Sequence, residues 1–128
     1  MRVVLCHGCF DILHIGHLRH LEAASLLGDI LVVSITADAY ITKPGRPIFN
    51  ENDRADMLRA LRCVDQVHIS HESTGVGAIE QFVPTHYVKG PDYVKTGIDR
   101  GEREACLAVG ALIVYTDTRK YSSTALLA

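Results

Sequence analysis

The chain has 128 residues and a formal net charge of −2, and 48% of its residues are hydrophobic against 22% charged. This length fits one domain, and the composition is typical of a globular protein rather than a disordered one. The negative balance argues against a nucleic-acid partner, and the longest aliphatic run, Ile30–Val33, is far too short to cross a bilayer. Four scattered cysteines suggest no disulfide framework, so we expect a reduced, cytoplasmic setting without a membrane partner.

Short β-branched runs alternate with helical patterns along the chain. Strands are predicted at Val3–Cys6, Ile30–Thr36, Gln66–Ser70, His86–Lys89 and Leu112–Tyr115. Helices are predicted at His14–Leu27, Asn50–Leu61, Val76–Phe82 and Ile98–Val109, with Asn50 as a cap and with Gly28 and Gly110 ending helices at positive φ. The alternation predicts a five-stranded parallel sheet covered by helices on both faces, in a single domain over residues 1–128.

The most informative segment is Gly8–Leu21, which links the first strand to the first helix. It places His14 and His17 at a helix start, where free backbone N–H groups form an anion site. Residues three apart on a helix lie about 60° from one another, so both rings can face one ligand, and Gly16 lets the backbone approach it closely. The pattern indicates phosphate chemistry, although two partly buried histidines can also be satisfied core residues.

A metal or redox site is an alternative reading of the same region. Cys6 and Cys9 form a Cys-x-x-Cys pair just before three histidines. However, His14 and His20 lie about 120° apart on a helix, so the three histidines cannot all ligate one ion from that face. Cys6 also falls in an apolar strand, where buried thiols are common. No metal site is therefore assigned to protein side chains.

Basic side chains follow the second strand. Lys43 and Arg46 belong to a proline-rich loop that can clamp a triphosphate or the phosphate of a second substrate, or can form an ordinary solvated turn. Arg54 and Arg62 lie eight residues apart, on roughly one face of the second helix, and are either phosphate ligands or surface charges. Asp38 comes directly after the second strand and is a further candidate.

Two later segments carry polar side chains to the same predicted edge of the sheet. Lys89 and Asp92 follow the fourth strand, where they can contact a phosphate and a ribose or base, or form a turn. Ser123 and Thr124 open a helix-like segment, either as caps or as ligands of a pyrophosphate. Because the carboxyl ends of parallel strands meet at one edge, all four can share a crevice with His14.

Together these segments resemble the cytidylyltransferase-like branch of the nucleotidyltransferase superfamily, whose hallmark is His-x-Gly-His between a strand and a helix. The resemblance covers almost the whole chain, through Gly8–Asp11, His14–His17, Thr36–Asp38, Lys43, Arg54, Arg62–Asp65, Lys89–Tyr93, Ser123 and Thr124. It implies a Rossmann-like three-layer α/β sandwich. It also implies an enzyme that joins a nucleoside triphosphate to a phosphorylated sugar or polyol, releases pyrophosphate and uses Mg²⁺.

The resemblance also implies roles for individual residues. His14, His17 and Lys43 would be catalytic, holding the phosphates and stabilising the transition state. The residues implied in nucleotide binding are Gly8, Cys9, Phe10, Asp11, Gly16, Lys89, Asp92, Ser123 and Thr124. The candidates for the second substrate or its phosphate are Asp38, Arg46, Arg54 and Arg62. A homodimer is one assembly that the family implies.

Two groups within this family resemble the chain in more detail: the heptose-1-phosphate adenylyltransferase domains and the glycerol-3-phosphate cytidylyltransferases. The Lys89–Tyr93 segment and the Gly-Arg-Pro loop favour the first group. So does Thr118, which stands where the cytidylyltransferases carry an arginine, with Arg119 one position later. ATP and CTP both stay open as substrates, as does a nucleotide-binding regulatory domain without turnover. We expect either a trimmed domain or part of a longer polypeptide with a sugar-kinase partner, since the chain stops at Ala128.

Overall fold

The computed structural model describes residues 1–117 and contains a five-stranded parallel sheet, as the sequence predicts. The strands are β1 (Val3–Gly8), β2 (Ile30–Thr36), β3 (Gln66–Ser70), β4 (His86–Lys89) and β5 (Leu112–Tyr115). Four of them have the predicted bounds, while β1 runs two residues further than predicted because His7 and Gly8 keep their register with Ser34 and Ile35 of β2.

The helices are α1 (Ile15–Ser25), α2 (Glu51–Arg59), α3 (Val76–Phe82), α4 (Tyr93–Thr96) and α5 (Arg100–Val109), with a 3-10 turn at Asp38–Tyr40. All four predicted helices are present. Two elements that the sequence pattern missed, α4 and the 3-10 turn, are too short to show a periodic apolar stripe. Within the described residues, no helix has the length and apolar character needed to span a bilayer.

Helix ends follow local chemistry at two of the three predicted positions. The Asn50 side chain accepts a hydrogen bond from the Asp53 amide at 2.8 Å and caps α2, and Gly110 ends α5 with φ at +76°. Gly28 follows α1 as predicted, but it does not have the predicted positive φ. A Cβ on Gly28 would lie 2.8 Å from a Val4 methyl and 2.9 Å from the Arg2 carbonyl, so this glycine permits close packing rather than a positive φ.

The core lies on both faces of the sheet, which makes the domain a three-layer sandwich. Alternate residues of β1 point to opposite faces, so Val4 packs with α1 and α2 while Leu5 packs with α3 and α5. Both residues are fully buried. The continuous burial of the middle strands explains why their sequences are almost uninterrupted apolar runs.

The strand order is β3-β2-β1-β4-β5, so the chain moves outward from β1 in one direction and then returns to its other side. The order therefore reverses between β1 and β4, and a crevice opens at such a switch point beyond the carboxyl ends of the two strands. The His-x-Gly-His segment follows β1, and Lys89 is the last residue of β4. The topology thus brings together two segments more than 70 residues apart in sequence.

Candidate nucleotide site

His14 and His17 form a reciprocal cap at the start of α1. The Gly16 amide donates to His14 Nδ1 at 3.0 Å, and the His14 amide donates to His17 Nδ1 at 3.2 Å. This arrangement is a capping box in which imidazoles replace the usual hydroxyl and carboxylate. Because each Nδ1 accepts a hydrogen bond, the neutral form of each ring carries its proton on Nε2. The site therefore holds two Nε2–H donors at one helix start.

The two imidazoles are neutral rather than cationic in this setting. Their rings stack with centroids 3.8 Å apart, so two positive charges would repel each other strongly. Burial, followed by the proximity of His14 and His20, lowers the pKa of His17 to about 4. Burial also lowers the pKa of His14. Neutral rings with fixed tautomers can donate hydrogen bonds to phosphate oxygens without first losing a proton.

The segment before the histidines is shaped by Phe10. Its ring meets the His17 ring edge-on, with centroids 5.2 Å apart, and a Cβ on Gly8 would come within 3.1 Å of it. Phe10 itself has φ at +52°, a left-handed conformation that is rare for a bulky residue and concentrates at functional sites. Cys9 is exposed beside it. The predicted nucleotide-binding turn therefore packs directly against a predicted catalytic ring.

Asp11 anchors the basic loop to this turn. Its carboxylate accepts the amides of Ile48 at 2.8 Å and Phe49 at 2.9 Å, and Arg46 donates to both its carboxylate and its backbone carbonyl. Although burial raises the pKa of Asp11, these amides and the Arg46 charge more than offset it, so the pKa is lowered overall. Asp11 and Arg46, predicted as ligands of different substrates, contact each other. Lys43 stays exposed at the outer part of the same loop.

Arg54 joins three segments around the crevice. Its guanidinium is almost fully buried and donates to the carbonyls of Cys9 and Thr36, both at 2.8 Å, and of Phe49 at 3.0 Å. It also forms an ion pair with Asp38 at 2.7 Å. These contacts use most of the donors of the arginine. The structure thus places Arg54 and Asp38 at the crevice as a bound pair that supports its walls.

Lys89 lies at the carboxyl end of β4 and is only 6% exposed. Its ammonium donates to the His7 carbonyl at 3.3 Å and lies 3.5 Å from a carboxylate oxygen of Glu102. Asp92, predicted alongside it, is exposed at the start of α4. The sequence pattern missed Glu102, although a carboxylate one turn before Cys106 on the buried face of α5 is an unusual residue in an amphipathic pattern.

His20 and Thr116 connect the histidine helix to the far side of the crevice. His20 Nδ1 and Thr116 Oγ1 lie 2.8 Å apart, and the Thr116 amide donates to the Lys89 carbonyl at 2.9 Å. Burial, followed by the charge of Lys89, lowers the pKa of His20 to about 4. The third histidine therefore makes a structural link rather than joining the first two. The sequence gives no sign of this link, because its partners are 96 residues apart.

One predicted residue lies away from the crevice, and two others fall outside the described residues. Arg62 lies exposed in the turn before β3. It therefore sits at the amino-terminal edge of the sheet, opposite the crevice, because α2 has already carried the chain back across the sheet. Ser123 and Thr124 lie outside the described residues, as do Thr118 and Arg119.

The cysteines do not assemble with the histidines. Cys6 is fully buried in β1, where burial raises the pKa of its thiol to about 12, while Cys9 is exposed beyond the strand. Over residues 1–117, no group of three or more histidine, cysteine or acidic side chains is arranged to hold a metal ion. The geometry in this part of the chain favours the phosphate interpretation of the histidines.

Comparison with known proteins agrees with this geometry. The family model described as cytidylyltransferase-like matches residues 5–128. The bifunctional protein HldE of Helicobacter acinonychis is 43% identical over 111 residues, which are 83% of this chain and 24% of that protein. HldE of Citrifermentans bemidjiense is 41% identical over 127 residues, 94% of this chain and 26% of that protein. The chain thus spans about a quarter of the length of these relatives.

Solved structures show the same fold. The lipopolysaccharide core biosynthesis protein from Thermoplasma volcanium is 31% identical with a TM-score of 0.79, covering 94% of this chain and 99% of that one. Thermotoga maritima TmcAL bound with alpha-thio ATP has a TM-score of 0.71 over 99% of this chain and 50% of its own. Its 16% identity shows only a shared fold.

Proposed function

Because the chain belongs to the cytidylyltransferase-like family and is a nucleotidyltransferase, we propose that it transfers the AMP group of ATP to a sugar-1-phosphate. The observation that carries the proposal is the reciprocal cap of His14 and His17, which fixes two neutral Nε2–H donors at a helix start. Developing negative charge on a triphosphate is what such donors stabilise.

The choice of ATP and a sugar phosphate rests on the segments outside the motif. Lys89–Tyr93 and the Gly45–Pro47 loop resemble heptose-1-phosphate adenylyltransferase domains more than glycerol-3-phosphate cytidylyltransferases. The Thermoplasma relative, of almost the same length, is named for the biosynthesis of a lipopolysaccharide core, which is built from sugars. The HldE relatives are named as bifunctional, which supports a second activity working beside this one, and a sugar kinase is the partner that we propose for it. We place the reaction in the cytoplasm, where nucleoside triphosphates are made.

In the proposed reaction, a phosphate oxygen of the acceptor attacks the α-phosphorus of ATP. The bond from that phosphorus to the oxygen bridging the β-phosphorus breaks, and pyrophosphate leaves. No covalent enzyme intermediate is needed, because positioning and charge stabilisation account for most of the catalysis in such transfers. His14 and His17 donate hydrogen bonds to the charged oxygens, and Lys43 on the exposed loop approaches the phosphates from the opposite side.

Mg²⁺ is part of the proposal, and it would supply charge neutralisation on the triphosphate. The two carboxylates beside the motif are already engaged, Asp11 by backbone amides and Asp38 by Arg54. Mg²⁺ in phosphate-transfer sites is commonly held by few protein groups and several phosphate oxygens. This donor set therefore fits an ion that arrives with the nucleotide.

The proposal is tested by pyrophosphate release with each of the four nucleoside triphosphates against sugar-1-phosphates and glycerol-3-phosphate. We expect pyrophosphate release with ATP and a sugar-1-phosphate. The rate of release should fall strongly in the His17→Ala variant, which shows that the activity belongs to this site. Release with CTP and glycerol-3-phosphate would instead identify the cytidylyltransferase. Saturable nucleotide binding without release from any pair would identify a regulatory domain.

A further inference from the structure

Glu102 is a buried carboxylate on α5. It is only 5% exposed and lies on the face of α5 that packs on the sheet. One carboxylate oxygen accepts the Tyr87 hydroxyl at 2.7 Å and lies 3.5 Å from the Lys89 ammonium. The other accepts the Gly75 amide at 3.0 Å. A single side chain of α5 thus engages both the start of α3 and the end of β4.

Lys89 is held from several directions at the switch point. Besides Glu102, its ammonium contacts the His7 carbonyl and lies 5.2 Å from the centroid of the Tyr87 ring and 4.9 Å from that of Tyr93. These contacts hold the ammonium between β1 and α5, at the carboxyl end of β4. A positive charge is thereby fixed beside the strand that leads into the His-x-Gly-His segment.

Stability alone does not account for this pair. Burying two charges costs desolvation energy, and replacing a buried ion pair by apolar residues is often neutral or stabilising. The pair does keep Glu102 charged. Burial raises the pKa of Glu102, but the Lys89 charge, the Gly75 amide and the Tyr87 hydroxyl more than offset it, so the pKa is lowered overall. An ionised Glu102 places a negative charge 3.5 Å from the Lys89 ammonium.

We propose, on the basis of the nucleotidyl-transfer function, that Glu102 is a positioning residue that holds the Lys89 ammonium at the carboxyl end of β4 to meet the triphosphate. Glu102 itself does not touch the substrate. It acts through Lys89, whose ammonium contributes a fixed positive charge at the switch point between β1 and β4.

Rescue by a shorter carboxylate supplies a readout that a purely structural role would not move. In Glu102→Gln the side chain keeps its shape and its acceptor for the Gly75 amide but loses its charge, so the Lys89 ammonium loses its counter-ion. Glu102→Asp shortens the side chain and disturbs its packing, but it keeps a negative charge near Lys89.

The test is calorimetric binding of magnesium tripolyphosphate and of ATP at pH 7.5, since tripolyphosphate probes the phosphate site without the base. The proteins are the wild type, Glu102→Gln, Glu102→Asp, Lys89→Met and the double variant of Glu102→Gln with Lys89→Met. The matched control is Glu104→Gln, which removes an exposed carboxylate from the same helix. Thermal unfolding confirms that each variant is folded.

We expect Glu102→Gln to weaken tripolyphosphate binding by about tenfold, the scale of one charge-assisted hydrogen bond, and Glu102→Asp to bind more tightly than Glu102→Gln. Lys89→Met should weaken binding by at least as much as Glu102→Gln, the double variant should bind no more weakly than Lys89→Met, and Glu104→Gln should bind like the wild type. A Glu102→Asp variant that binds as weakly as Glu102→Gln, or a Glu102→Gln effect that persists undiminished in the Lys89→Met background, would overturn the proposal.

The same data separate this inference from the proposed function. If the expected binding pattern appears but no sugar-1-phosphate supports pyrophosphate release, the proposed acceptor is wrong and the role of Glu102 stands. If the wild type transfers AMP but Glu102→Gln binds ATP and tripolyphosphate normally, the role of Glu102 is wrong and the function stands. A wild type that binds neither ATP nor tripolyphosphate contradicts both.

Discussion

The backbone amide of His14 donates a hydrogen bond to Nδ1 of His17 at 3.2 Å, while Nδ1 of His14 accepts from the Gly16 amide at 3.0 Å. Each histidine therefore uses one nitrogen for the helix start and retains Nε2–H as a donor. The geometry joins folding and catalysis in the same two rings, because the cap that begins α1 also selects the tautomer that phosphate recognition needs.

Two substitutions of His17 distinguish its role in capping α1 from its role in catalysis. His17→Ala loses both, and we expect turnover to fall by about a hundredfold or more, the usual scale for one transition-state donor. His17→Gln offers a side-chain oxygen at a capping-box position and should recover most of the roughly 1 kcal/mol that a lost cap costs, without restoring turnover. Pyrophosphate release and urea unfolding measure the two effects. Normal release by His17→Ala would contradict the assigned role.

The buried histidines predict loss of stability in mild acid. Burial, as the largest cause, lowers the pKa values of His7, His17 and His20 to about 4, against about 6.5 in an unfolded chain. Unfolding between these pH values therefore takes up protons, roughly three per molecule, and the free energy of unfolding falls as the pH decreases from about 6.5 towards 4.

Urea unfolding at pH 7.5, 6.5, 5.5 and 4.5 measures this dependence. The His7→Gln variant removes one of the three groups, so its stability should fall less steeply across the same range. A free energy of unfolding that stays constant from pH 7.5 to pH 4.5 would show that these rings are not held neutral by the fold.

We expect substitution of Arg54 to lower the free energy of unfolding rather than the affinity for substrate. Arg54→Lys cannot reproduce the four hydrogen bonds to Cys9, Thr36, Phe49 and Asp38. Each buried acceptor left without a partner costs about 1–3 kcal/mol, so we expect a loss of several kcal/mol in urea unfolding. A variant of normal stability with a raised KM for the acceptor would instead identify Arg54 as a phosphate ligand.

We expect substitution of Lys43 to lower turnover without lowering stability. Its side chain is exposed on a loop that Asp11 anchors through the Ile48 and Phe49 amides, so Lys43→Met should leave the midpoint of thermal unfolding unchanged. Turnover should fall by about tenfold or more, because a charge that meets the phosphates in the transition state is lost. Steady-state kinetics with saturating ATP provide the measurement, and unchanged turnover would remove Lys43 from the catalytic set.

The elements of this fold are readable from sequence because their determinants are local. The strands through Val4, Leu31 and Val88 are nearly continuous apolar runs, and the cap at Asn50 lies three residues from its partner. The reason assigned to Gly28 is wrong because the constraint is not local: it comes from the neighbouring strand, through Val4 and Arg2.

The candidate site is predictable only in part, for the same reason. The spacing of His14 and His17 is local, but the partners of Asp11 lie 35 to 38 residues away and the Lys89 ammonium binds a carbonyl 82 residues away. Such contacts give predicted ligands such as Arg54 structural partners, and they place Glu102 beside Lys89. Arg62 lies away from the crevice because spacing along one helix does not reveal at which edge of the sheet that helix ends.

The most direct test of nucleotidyl transfer follows an ¹⁸O label placed on the phosphate of the sugar-1-phosphate acceptor. After reaction with ATP, the products are analysed by ³¹P NMR and mass spectrometry. With all three terminal oxygens labelled, the proposed attack on the α-phosphorus predicts that the label stays in the nucleotide-linked sugar, with one labelled oxygen bridging its two phosphorus atoms, and that the released pyrophosphate contains none. Label in pyrophosphate, or ADP as the nucleotide product, would contradict the account.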